Sequence, residues 1–240
     1  MRSDLRWAMP LAIAALACTA GGGGAGAAGG ARGVPGDAQV ERDPANGTIR
    51  FLAGPDLTRG LAGDPDLRAA RAAGDPAAIA LAFVAAHAGA FRLARPAEEL
   101  AVREVRPDRD GRRIVVFDQR WRGVPVLRGE LRVHVDGAGR VVVVNGSTIP
   151  TPASVDTAPR LDAAAARARA ATVLGRTCDG CSTELVIAPA GAGARLAWRV
   201  GPPPGALSDA LVIDARDGEV LERVPVALPG RPSLAPEEPR

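Results

Sequence analysis

Between Arg113 and Pro150 the apolar residues recur with a period of two, and little else in the chain constrains its fold as tightly. From Val126 to Val135, Gly129, Leu131, Val133 and Val135 fall on one side, and Arg128, Glu130, Arg132 and His134 on the other. Such a segment is an antiparallel strand with one face packed and one in water. Upstream, Val115, Phe117, Gln119 and Trp121 alternate with Asp118, Arg120 and Arg122, predicting a second strand whose core face carries two aromatics. Gly123 to Pro125 turns one strand into the next. Asp136-Gly137 and Gly139 supply positions that accept positive φ, Val141 to Val144 makes a third strand, and Asn145-Gly146 reads as its closing turn.

A three-stranded meander leaves an apolar face that needs cover. The cover is predicted upstream. Asp75 is an N-cap with Pro76 at the first helical position, and Ile79, Phe83, Ala86 and Ala90 follow at helical spacing. The order then repeats. Asp162 caps an Ala-rich helix that ends near Leu174 and Gly175, and strands are predicted at Glu184–Ala188, Arg195–Val200, Leu211–Asp214 and Glu219–Val224. Helix followed by antiparallel meander, twice, is an α+β pattern.

The block from Ile114 to Gly146 (an apolar strand, Gln119, Trp121, the Gly123-Val124-Pro125-Val126 turn, then Gly129-Glu130-Leu131-Arg132-Val133-His134-Val135-Asp136 and its return) resembles the fungalysin/thermolysin propeptide domain of secreted zinc metalloproteases. The later segments, Leu161–Leu174, Glu184–Ile187, Arg195–Val200 and Val212–Leu221, resemble the PepSY domain. The resemblance implies two tandem cystatin-like modules, each a helix on an antiparallel sheet: residues 46–150, a linker at 151–159, and residues 160–226. A Pro-rich tail, 227–240, follows. In that family the two modules precede a zinc peptidase, help it fold and block its cleft until they are cut away.

The N-terminus reads as a secretory signal over residues 1–17. Arg2 and Arg6 precede an apolar run to Ala17 that is shorter than the roughly 20 residues a bilayer-spanning helix needs. Cleavage after Ala15-Leu16-Ala17 would expose Cys18, so Cys18 is a lipidation candidate, although Ala15 and Leu16 depart from the usual lipobox. Residues 18–45 contain a Gly/Ala-rich tether. The expected location is therefore outside the cytoplasm, either secreted or held in the envelope by a lipid, with no other contact with a membrane.

Charge argues against nucleic acid as a partner. The 240 residues carry 30 basic and 27 acidic side chains, interspersed, and no Lys. The second module, about 70 residues, is near the lower size for an independent core and is expected to lean on the first. No catalytic group, metal site or cofactor is predicted. His87 and His134 are the only histidines; neither sits in H-E-x-x-H, and no Gly-x-Ser-x-Gly elbow presents a nucleophile. His87 is expected on the surface or at the end of the first helix, and His134 on an outward strand position. Asp108 and Asp110, like Asp214 and Asp217, are expected to shape turns. Asn46-Gly47-Thr48 and Asn145-Gly146-Ser147 match the glycosylation sequon but read first as turns.

Cys178-Asp179-Gly180-Cys181 has the spacing of a redox dithiol or half a zinc site, yet it follows a helix and lacks further ligands nearby. In an exported chain Cys178 and Cys181 are a disulfide candidate, with free thiols the alternative. Gln119, among inward residues, is expected to use its amide to pin the Gly123–Val126 turn. Arg120, Arg128 and Arg132 form the candidate docking face, with a solvated face as the plain alternative. Three functions stay open: an inhibitor or folding assistant acting in trans on a thermolysin-like or fungalysin-like zinc metalloprotease, an envelope-tethered binding module, or a vestigial or truncated pro-region.

Overall fold

The computed structural model describes residues 33–191, 193–203 and 209–225. In chain order the elements are β1 (Gln39–Arg42), β2 (Ile49–Ala53), α1 (Pro65–Ala73), α2 (Pro76–Ala86), α3 (Ala88–Phe91), α4 (Pro96–Glu99), β3 (Leu100–Pro107), β4 (Arg113–Trp121), β5 (Val124–Val135), β6 (Val141–Ser147), α5 (Ala163–Leu174), β7 (Ser182–Ala190), β8 (Gly193–Gly201), β9 (Ala210–Asp214) and β10 (Val220–Val224). The architecture is α+β. One antiparallel array runs β1-β2-β6-β5-β4-β3 and a second runs β7-β8-β9-β10; a single parallel pairing, Val126 with Ile187, joins them through β5 and β7. Strands β1 to β3 and helices α1, α3 and α4 add to the expected elements.

Helix ends follow their capping chemistry. Asp64, Asp75 and Asp162 each accept backbone N–H bonds from the first turn of α1, α2 and α5, and Gly74 and Gly175 close α1 and α5 at φ of 65° and 64°. α2 stops at Ala86 rather than running on to Ala90, because the chain turns at His87 (φ −111°) before the short α3.

Of the four packed clusters among the described residues, three position the elements. Ile79, Ala80, Phe83 and Val84 of α2 meet Leu52, Val115, Phe117, Leu131, Val133 and Val144 of the first array. Ala166 and Ala170 let α5 lie close on Val200, Leu211 and Ile213 of the second, beside Cys178 and Cys181. Between the arrays sits a third group: Trp121, Val126, Ile149, Val155, Ile187, Leu196 and Ala215. Trp121 therefore belongs to this junction, not to the core under α2, and its Nε1 donates to the Val155 carbonyl at 3.1 Å.

The junction depends on an irregularity in β5. Asp118 pairs with Glu130 and Arg120 with Pro125, so Val126 to Gly129 all lie opposite the single residue Gln119. This bulge carries Arg128 at φ 60° and re-aims the strand so that Val126 reaches Ile187. Gly129 is required there, since a Cβ would meet Val126 and Gln119 at 2.8 and 2.9 Å. The Gln119 amide does not pin the Gly123–Val126 turn. Its Nε2 donates to the Ile149 carbonyl at 2.8 Å, and the Ile149 N–H donates back to Oε1 at 2.9 Å. One side chain thus reproduces a backbone ladder pair. Asn145-Gly146, expected as a turn, continues β6 opposite Arg132 and Leu131.

β4 departs from simple alternation as well. Ile114 and Val116, on the face away from α2, are buried together with Val115 and Phe117. Val116 registers between Glu104 and Arg132, and long side chains of this kind cover apolar neighbours with their stems.

Gln119→Leu should leave both Ile149 backbone groups unpaired in a dry setting and cost about 2–4 kcal/mol. Chemical denaturation measures it, and a loss under about 1 kcal/mol would show that the bidentate pair is dispensable.

Candidate functional site

Where β5 bulges, the two arrays part and leave a groove of about 480 Å³. Its walls carry Arg103, Asp118, Arg120, Arg128 and Glu130 from the first array, and Glu184 and Arg199 from the second. Arg103 spans β4, with Nη1 2.8 Å from Asp118 Oδ1 and Nη2 bonded to Glu130, which raises the Arg103 pKa above its ordinary value. Arg128 pairs with Glu222 of β10, and Arg199 lies 3.7 Å from Glu184. Arg120 reaches the Gly123 carbonyl, at 3.5 Å.

The three candidate docking arginines do not share one flat face. Arg120 and Arg128 line the groove; Arg132 lies outside its lining, paired with Glu130. The bulge separates them, because four residues there replace the expected one and break the alternation. Ion pairs this exposed contribute under about 1 kcal/mol each, so they hold the groove's charges in place without committing them. A partner with acidic side chains could exchange into them at little cost. Arg103, Glu184, Arg199 and Glu222 were not singled out by sequence. The signal available for Arg103, and for Glu184 with Arg199, was an opposite charge on a neighbouring strand, legible only once strand order is known; Glu222 is brought to Arg128 from a strand that is not its neighbour.

The remaining candidates fall elsewhere. His87 is buried at the C-terminal end of α2, not on the surface; its Nδ1 lies 2.9 Å from the Phe83 carbonyl and its ring 4.5 Å from that of Phe83. His134 sits on the outer face of β5, 3.8 Å from Asp108. Asp108 and Asp136 serve turns, accepting N–H bonds from Asp110 and Arg112, and from Ala138 and Arg140. Asp214 caps the turn before β10 through the Arg216 N–H and pairs with Arg195. Cys178 is disulfide-bonded to Cys181 with Cα atoms 5.1 Å apart, between α5 and β7. Cys18 lies outside the described residues. Among those described, no group of three or more His, Cys, Asp or Glu is placed to hold a metal, and no helix is long and apolar enough to cross a membrane.

Partial burial lowers the His134 pKa, and Arg112 and Arg106 add to this; the Asp108 carboxylate opposes. With a folded pKa below the ordinary 6.5, the unfolded chain binds this proton more readily, so stability falls as pH drops through 6.5 toward the depressed value. His134→Gln should flatten the melting temperature between pH 7.5 and 5.5 relative to the parent, a window set by the ordinary histidine pKa; an unchanged slope assigns the pH dependence to other groups.

Cys178→Ser with Cys181→Ser should lower stability by about 2 kcal/mol, as expected of so short a loop, and leave the fold of the first array intact. Thermal melts with and without reductant measure it. An identical melt in both would mean that the bond adds nothing to folding.

Comparison with known proteins bears on the first array. The chain is 34% identical over 155 residues to "Thermostable neutral protease NprT" of Geobacillus stearothermophilus, an alignment covering 56% of this chain and 27% of that protein. The solved "Bacillus megaterium YpeB C-terminal domain" aligns over 80% of this chain and 83% of its own at 14% identity, with a TM-score of 0.33, too low to carry an argument. Residues 98–148, from the end of α4 through β3, β4, β5 and β6, match the Fungalysin/Thermolysin Propeptide Motif family.

Proposed function

We propose that the chain is a non-catalytic, exported, propeptide-like protein that binds a thermolysin-like zinc metalloprotease in trans, inhibiting it or assisting its folding. The observation that carries this reading is the propeptide-motif match across β3 to β6, of which β3, β4 and β5 build one wall of the charged groove. A prefolded surface that binds the native protease better than its unfolded chain stabilises the native form by mass action, and steric cover of the cleft excludes substrate. Specificity comes from the groove's alternating charges more than from apolar area. Acting in trans forfeits the effective concentration of a covalent tether, commonly millimolar for short linkers, so inhibition should be weaker than by a linked pro-region.

A second reading, a pro-region normally joined to its own peptidase, is supported by the length of the neutral protease relative, of which the alignment spans 27%. The two differ in what the isolated chain does to a separately purified enzyme.

The purified chain should hydrolyse no peptide, yet slow a thermolysin-like enzyme from the same organism or raise its refolding yield at micromolar concentrations. Reversing Arg120, Arg128 and Arg132 together to Glu should abolish the effect with the melting temperature nearly unchanged. No inhibition, binding or refolding gain with any such enzyme would reject the role in trans; an unaffected triple variant would move the contact away from these arginines.

A further inference from the structure

β3 is paired on one side only. Its neighbour is β4, and its other edge faces no strand among the described residues. From Val102 to Pro107 every residue is exposed, and Val102 and Val105, at 49% and 41%, are the most exposed large hydrophobic side chains described. Val105 registers with Val115 and Val102 with Phe117, so both lie on the face that carries α2, beyond the part that the helices cover. Glu104 and Arg106 register with Val116 and Ile114 on the opposite face, 3.4 Å from each other. Arg103, at the β3 irregularity, lies back over the sheet toward Asp118 and Glu130 and leaves the edge clear.

An open row of N–H and C=O groups on an exposed strand pairs with another strand unless something prevents it. Here the order of charges selects the partner. Two copies of β3 running antiparallel about a two-fold axis through Val105 place Val105 against Val105, on the α2 side. On the other face the same axis sets Glu104 against Arg106 twice. Moving the axis to Glu104 or to Arg106 sets like charges face to face, so within Glu104–Pro107 the Val105 register is the one that charge permits. The contact is self-complementary, as an isologous interface must be. We propose that β3 is a dimerisation edge whose partner is a second copy of this chain, paired in that register. It extends the six-stranded array into a continuous twelve-stranded one and covers the Val105 side chains against each other. The inference is independent of the protease reading, and either stands if the other fails.

The test is a charge exchange across the axis. The purified chain should show reversible, concentration-dependent dimers by sedimentation velocity between micromolar and millimolar protein. Glu104→Arg alone, or Arg106→Glu alone, converts two attractive pairs into two repulsive ones and should weaken the dimer at least about tenfold. Combining Glu104→Arg with Arg106→Glu restores opposite charges and should return affinity to within about threefold of the parent. These residues are exposed, so melting temperatures should stay level and separate lost pairing from lost folding. Amide exchange in residues 102–106 should slow as concentration rises. A chain monomeric throughout, dimers indifferent to the single reversals, or a double exchange as weak as the singles would each overturn the proposal.

Discussion

The bulge in β5 is the feature on which the rest of the molecule depends. Four residues, Val126 to Gly129, occupy the space that regular pairing would give to one. A strand kinked in this way belongs to two sheets at once, pairing with β4 and β6 along one stretch and touching β7 at Val126. Without it the second array has no edge to join, and the Trp121 cluster has no second wall. The irregularity leaves polar atoms to be accounted for, and Gln119 takes up part of that account by bonding Ile149 as a strand would. A local disruption of hydrogen bonding and its compensation thus lie within one residue of each other.

The same bulge makes the candidate site. Had β5 stayed regular, Arg128 and Arg132 would stand two positions apart along one face, with Arg120 across from them. Instead Arg128 is directed to Glu222 of the second array, while Arg132 stays on the first with Glu130. A groove whose walls come from separate sheets presents charges that no single strand could space. That arrangement suits recognition of a large surface better than enclosure of a small molecule, and it accords with a protein that works by covering another.

Much of this was legible in the sequence, and what was not had specific causes. Asp75-Pro76, Asp162 and Gly175 announce helix ends because capping is local chemistry. The core faces of β4 and β5 show in their period of two. The bulge does not: Val126-Leu127 interrupts the alternation without showing where the strand is irregular, and the positive φ falls on Arg128, a residue that gives no warning. β3 hides for a related reason: an irregularity between Val102 and Glu104 puts its two valines three apart and spoils the alternation. Asn145-Gly146 misleads in the other direction. The dipeptide favours turns, but Gly146 is needed within a strand, at φ 148°, because a Cβ would sit 2.1 Å from the Glu130 carbonyl oxygen. His87 shows the limit of helical spacing, which gives a residue's angle round the axis but not which neighbouring elements will close over it.

The path from β6 to α5 is irregular chain that contains three prolines, Pro150, Pro152 and Pro159, and so resembles a hinge. It is held at several points, Thr151 to Arg92, Ala94 and Glu99 among them, and two further anchors come from β4. Gln119 grips it at Ile149, and the Trp121 indole grips it at Val155, whose side chain is buried in the cluster between the sheets. Both of these grips come from β4, two residues apart, so the connecting segment is fastened to the array it leaves behind. The two arrays are accordingly set at a fixed offset, like the jaws of a locked caliper. A partner that meets one of them finds the other already at its working distance, and the entropy of bringing two separate contacts into register has been spent in folding instead of in binding.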